Sequence, residues 1–175
     1  MPENLMYPGT SHGNLLASIL ARYPQIGTLQ VLPESRCMRL GFFVKSSNEA
    51  VELQNFYQHI VDSISSLVFL AGRRLKHFNI QLTRCEDLSI IELDRDLATI
   101  SLSEISLVVS LMEEHFGAEL LRSEEADEIE DPAWYDELIQ HMLEDIGSET
   151  HLQRLIGFRE GNRIMVFDKP QASGQ

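Results

Sequence analysis

Glu92, Asp94 and Asp96 stand two residues apart in an alternating run, Ile91-Glu92-Leu93-Asp94-Arg95-Asp96-Leu97. On an extended chain that spacing turns three carboxylates to one side, opposite Ile91, Leu93 and Leu97. Carboxylates gathered in this way can hold a divalent cation through oxygen, or divide their pKa values for acid–base work. They can equally form the wet face of an edge strand, and a turn over Asp94-Arg95-Asp96 would break the array. A second constellation is Glu137, His141 and Glu144, at spacings of four and three, hence neighbours on one helix face. Imidazole with carboxylates can ligate a transition metal, with Glu114, His115 or His151 completing the set. The plainer reading is a solvated helix face where an imidazolium sits among acids.

Other signatures of chemistry are missing. The chain has no Gly-rich Lys-Ser/Thr phosphate loop, no Gly-rich dinucleotide turn and no Gly-x-Ser-x-Gly elbow. It has no Cys-x-x-Cys and no His-Glu-x-x-His. Cys37 and Cys85 are too few for a disulfide framework. Arg84 precedes Cys85 and Glu86-Asp87 follow it, a mixed field that does not select an activated thiol. No cofactor is expected.

Charge is more informative. The 175 residues carry 14 Lys and Arg against 27 Asp and Glu, a net charge of −13. Residues 119–149 hold twelve of those acids and one base, Arg122, so −11 of the charge lies there and −2 elsewhere. Self-repulsion should keep the start of this stretch extended. Glu124, Glu125, Asp127 and Glu128 then read as a solvated connector or as a docking strip for a basic partner. Nucleic acid is not an expected partner, because Arg73-Arg74 with Lys76 is the best basic cluster and it is small. No membrane role is expected, since the longest apolar run, Leu67 to Ala71, is far short of the roughly 20 residues of a bilayer span. The first residues show no basic-then-apolar signal pattern, so a cytoplasmic location is the expectation.

The elements that must position these residues follow from periodicity. Leu15, Leu16, Ile19, Leu20 and Tyr23 recur at helical spacing, and Pro24 stops that helix. Thr28 to Leu32 and Met38 to Val44 read as a hairpin about Pro33-Glu34-Ser35-Arg36. A capping box, Ser46 with Glu49, opens a long helix whose stripe is Leu53, Phe56, Ile60, Ile64, Leu67 and Ala71, ended by Gly72. Phe78, Ile80 and Leu82 alternate with polar residues, Leu88 to Leu93 forms the next strand, and a short strand is expected at Ala98 to Ile100. Ser101 and Glu104 form a second capping box before a helix that Gly117 ends. Asp131 and Pro132 start a further helix with Trp134, Leu138, Ile139, Met142 and Ile146 as its apolar side. A hairpin about Glu160-Gly161-Asn162 closes the series.

The expected fold is therefore α+β: one domain with a mostly antiparallel sheet and a long helix across one face. By residue, the reading is a flexible leader 1–12, a core 13–122, an acidic connector 123–131, a helix and hairpin packed on the core over 132–169, and a disordered tail 170–175. The order helix, two strands, helix, three strands, helix resembles the layout of roadblock or profilin-like domains. That resemblance implies partner binding through a sheet edge or a central helix and no catalysis; the C-terminal helix and hairpin have no counterpart in it. On the sheet face opposite the long helix, Arg39, Asn79, Gln81 and Thr83 are polar, with Gln30 joining if register allows. Phe43 is the exception there: it lies under Leu16 and Leu20, or it anchors a partner. Trp134 has the same two readings, core or interface anchor. The function expected is a non-enzymatic interaction or regulatory module that self-associates or docks a basic partner. The alternatives are a metal-assisted hydrolase or transferase and a small-ligand sensor.

Overall fold

Alternation and helical spacing produce an α+β architecture of four helices and a six-stranded antiparallel sheet in the computed structural model, which describes residues 11–45, 50–124 and 129–168. The order is α1 (Ser11–Arg22), β1 (Thr28–Leu32), β2 (Cys37–Lys45), α2 (Ala50–Leu70), β3 (Phe78–Cys85), β4 (Leu88–Asp96), α3 (Leu102–Phe116), α4 (Pro132–Gly147), β5 (Leu155–Glu160) and β6 (Arg163–Asp168). Helix α1 begins at Ser11, inside the expected leader. The Ser46–Glu49 capping box, Glu125, Asp127, Glu128 and the tail lie outside the described residues.

The strands run β3-β4-β2-β1-β5-β6 across the sheet. Pairing of β1 with β5 makes the C-terminal hairpin an extension of the sheet rather than an appendage to it. Register places Leu29 and Val31, Leu40 and Met38, Leu93 and Arg95, and Gly157 and Leu155 on one face. Helices α1, α2 and α3 meet the sheet on that face. Leu16 and Leu20 of α1 close over Gly157, Tyr57 of α2 meets Phe78 edge-on at 6.2 Å, and Glu104 of α3 reaches Arg95. Helix α4 lies between α1 and α3, joined to α1 by Arg22 and Asp136 at 2.8 Å. The resulting core is continuous, with Leu15, Phe42, Ile60, Ile105 and Ile139 all buried.

One element differs from expectation. Asp94-Arg95-Asp96 is not a turn: β4 continues through all three, paired with Arg39, Met38 and Cys37 of β2. The turn comes at 97–99, where a short strand is expected, so two strands instead of three separate α2 from α3. The layout likened to roadblock and profilin-like domains loses its third central strand.

Arg95 is the reason the strand continues. Its side chain is 0% exposed, and all five of its N–H groups have acceptors. Nε and Nη2 donate to Glu104 Oε2 and Oε1 at 2.7 Å each. Nη1 donates to the His77 carbonyl at 2.9 Å and to Asp96, and Nη2 donates to Thr99 Oγ1 at 3.0 Å. Thr99 in turn donates to Asp96 at 2.6 Å, and the His77 amide donates to Asp96 at 3.0 Å. The second capping box is therefore half made. Ser101 Oγ accepts from the Glu104 amide at 3.3 Å, but the Glu104 carboxylate serves the buried guanidinium instead of reaching back. Burial pushes the Glu104 carboxyl up, and Arg95 opposes that shift. Burial also works against the Asp96 carboxylate, but the Thr99 hydroxyl, the His77 amide and Arg95 outweigh it and hold it below the ordinary range.

Breaking this pair strands a buried charge. Glu104→Ala is expected to cost about 3–5 kcal/mol in urea denaturation, with Glu104→Gln costing less. Because the folded-state pKa of Asp96 is depressed, its contribution is complete above the unfolded carboxylate pKa and falls away as pH drops through the lower folded value. Asp96→Asn should flatten that acid limb of a stability-versus-pH curve and lower stability at neutral pH.

Candidate functional site

The second sheet face carries no described helix, although Gln30 and Asp94 near its centre are buried among their neighbours. Register puts Gln30, Arg39, Asp94 and Asn79 in one row across it, so Gln30 does join the polar set. The neighbouring row is Thr28, Gly41, Glu92 and Gln81. Arg39 sits at the centre. Its Nε and Nη2 donate to the two oxygens of Asp94 at 2.6 and 2.8 Å, and Glu92 lies 3.9 Å from Nε. A forked pair of this kind fixes both side chains, and its charges are already matched within the chain.

The spacing argument for Glu92, Asp94 and Asp96 holds for the backbone and fails for the side chains. Glu92 and Asp94 share the uncovered face, where Arg39 takes them, while Asp96 at the strand end is bonded to Arg95, Thr99 and His77. Glu137, His141 and Glu144 are exposed on the outer side of α4, with Glu144 accepting from Gln140 at 3.1 Å. His115 is elsewhere, stacked on Phe56 at 4.4 Å. Among the described residues no three His, Cys, Asp or Glu side chains gather as a metal ion would need. Cys37 is buried and burial pushes its thiol pKa up, the opposite of what an activated nucleophile requires. Cys85 is exposed.

Phe43 is not under Leu16 and Leu20, which face the other side of the sheet. It lies on the uncovered face, half-buried, with its ring filling the space that a Cβ at Gly27 would occupy. The Phe43 carbonyl accepts from Leu121 at 2.9 Å, where the chain leaving α3 runs beside β2 beyond the end of β1. Helix α4 is rotated relative to expectation: Tyr135, Ile139, Leu143 and Ile146 are buried, while Trp134 is half-buried and edge-on to Tyr135 at 5.1 Å. Asp131 caps this helix as expected, accepting from the Trp134 amide at 3.1 Å. Glu124 is exposed at the start of the acidic stretch.

The uncovered face has an apolar corner that the motif search does not mark. Ile156 and Phe158 of β5 and Met165 and Phe167 of β6 share it by register. The Phe158 and Phe167 rings lie 5.8 Å apart, and Phe167 is 47% exposed. The signal was present as spacing of two in both arms of the hairpin, directed away from Leu155 and Val166.

No family model, curated protein or solved structure matches this chain. The functional reading therefore rests on the geometry alone.

Gly27 and Phe43 supply a direct check of the face. Gly27→Ala should destabilise the fold by about 1–3 kcal/mol through overpacking against the ring. In Phe43→Ala the same change should be nearly neutral, and a double-mutant cycle by thermal denaturation reads this coupling.

Proposed function

We propose that the protein is a non-enzymatic interaction module that self-associates through the uncovered face of its sheet. The observation that carries this reading is one-sided layering: helices α1, α2 and α3 on one face, and an apolar corner of Ile156, Phe158, Met165 and Phe167 on the other, which carries no described helix. Exposed Phe167 beside half-buried Phe158, in the row of a matched ion pair, suits a protein contact, since nothing charged on that row needs an outside partner. A second copy offers the same corner, and packing two such faces gives a closed two-fold contact. No described helix is long and apolar enough to cross a membrane.

A second reading, docking of a basic partner, is supported by Glu124, Glu137, Glu144 and Asp145, all exposed along the acidic stretch and the outer side of α4. Light scattering after size exclusion separates the two. Self-association predicts a dimer whose dissociation constant rises at least about tenfold in Phe167→Glu, a loss of the size expected for a central aromatic anchor. A monomer at every concentration, binding a poly-lysine probe in a manner lost when Glu137 and Glu144 become Gln, would replace the first reading by the second.

A further inference from the structure

Residues 63–85 contain no Asp or Glu in a chain that has 27 of them, yet they hold Arg73, Arg74, Lys76 and Arg84. Arg73, Arg74 and Lys76 are exposed and form no ion pair among the described residues. Among the described residues, the two most exposed large apolar side chains stand just before them: Phe69 at 78% and Leu70 at 81%. This turn is held at both ends. Gly72, at φ +72°, donates to the Phe69 carbonyl at 2.9 Å and Arg73 donates to that of Val68 at 3.0 Å, the paired bonds of a left-handed helix cap. At the far end, His77 is fixed through its amide to Asp96 and through its carbonyl to Arg95.

The chain then enters β3, an edge strand. Among the described residues no strand lies along its outer side. Its Asn79, Gln81 and Thr83 are exposed, and on the other face Phe78, Ile80 and Leu82 are only half covered, with Tyr57 of α2 39% exposed above them. An eight-residue strand with an open backbone edge accepts an added strand unless something blocks it.

We infer that β3 and the basic turn before it form a docking site for an extended acidic peptide, bound antiparallel as a seventh strand. One side of the peptide would be apolar, resting beside Ile80, Leu82 and Tyr57. The other would be polar, beside Asn79 and Gln81. Its acidic residues would lie at the C-terminal end, against Arg73, Arg74 and Lys76. Charge complementarity selects this occupant. An anionic bilayer offers the same charge, but it is a broad surface that would also meet the rest of a −13 molecule, whereas a single peptide meets only the turn and the edge. The site is separate from the apolar corner on β5 and β6, so Phe167→Glu should leave it intact.

The test uses a fluorescein-labelled synthetic peptide of alternating Val and Thr with a run of Asp at its C-terminus, followed by fluorescence anisotropy on the full chain. Binding is expected to weaken with added salt and to fall at least about tenfold in the Arg73→Glu, Arg74→Glu double variant, both side chains being exposed and without an ion pair among the described residues. A peptide methylated on alternate backbone nitrogens should not bind, and amide exchange should slow along 78–85 when the unmodified peptide is present. The inference fails if the peptide does not bind, if the methylated peptide binds equally, if the double variant binds as tightly as the parent, or if phosphatidylserine vesicles bind the turn while the peptide does not.

Discussion

A guanidinium taken completely out of water must find a partner for every N–H or the fold does not hold. Arg95 meets that condition only when four separate pieces of chain converge: the end of β4, the turn at Thr99, the first turn of α3, and the residue that leads into β3. The constraint reaches beyond the ion pair. It sets where α3 starts relative to the sheet, because Glu104 must sit over Arg95. It also sets the register of the edge strand, because His77 is held on both its amide and its carbonyl. An apolar residue at this position would fill the space without dictating which segments meet there. A forked donor specifies both the partners and their angles.

The layering divides the surface into regions of distinct character. Acidic side chains follow α4 along the helical side, where Asp136 is spent on Arg22 while Glu137, Glu144 and Asp145 face solvent. Unmatched positive charge collects at the opposite margin of the sheet, between α2 and β3. Between them, the uncovered face is close to balanced, with Arg39 matched by Asp94 and approached by Glu92. A net charge of −13 is thus a poor description of any single surface of the molecule. Each margin would steer a different kind of encounter.

Most of the fold was legible in residue patterns. The helices of Leu15 to Tyr23 and Phe56 to Val68, the first hairpin, the Asp131 cap and the last hairpin all follow from spacing and punctuation. What periodicity could not supply was partnership between distant segments. Asp94-Arg95-Asp96 resembles a turn because three charges in a row suit solvent, but the stretch pairs with β2 and β3, and Glu104 takes the guanidinium that this pairing buries. The same gap left Phe43 with two readings. Alternation put it correctly on the face opposite Phe42, but which face α1 covers is decided by the pairing of β1 with β5, more than a hundred residues away. The candidate carboxylates were found by type, yet Arg39, which takes Asp94, lies in another strand, and Thr99 and His77, which help to fix Asp96, lie in the turn after β4 and in the approach to β3.

That pairing of β1 with β5 has a consequence for how the molecule is made. Helix α1 packs on α4, β5 and β6, and β1 has β5 along one side. Much of what shelters α1 is therefore synthesised more than a hundred residues after it. While a ribosome is still translating the middle of the message, Leu15, Leu16, Ile19 and Leu20 have no permanent cover, and one margin of β1 stays open to any passing strand. Helix α1 and β1 thus reach their final cover only once β5 and β6 have folded back across more than a hundred residues of intervening chain.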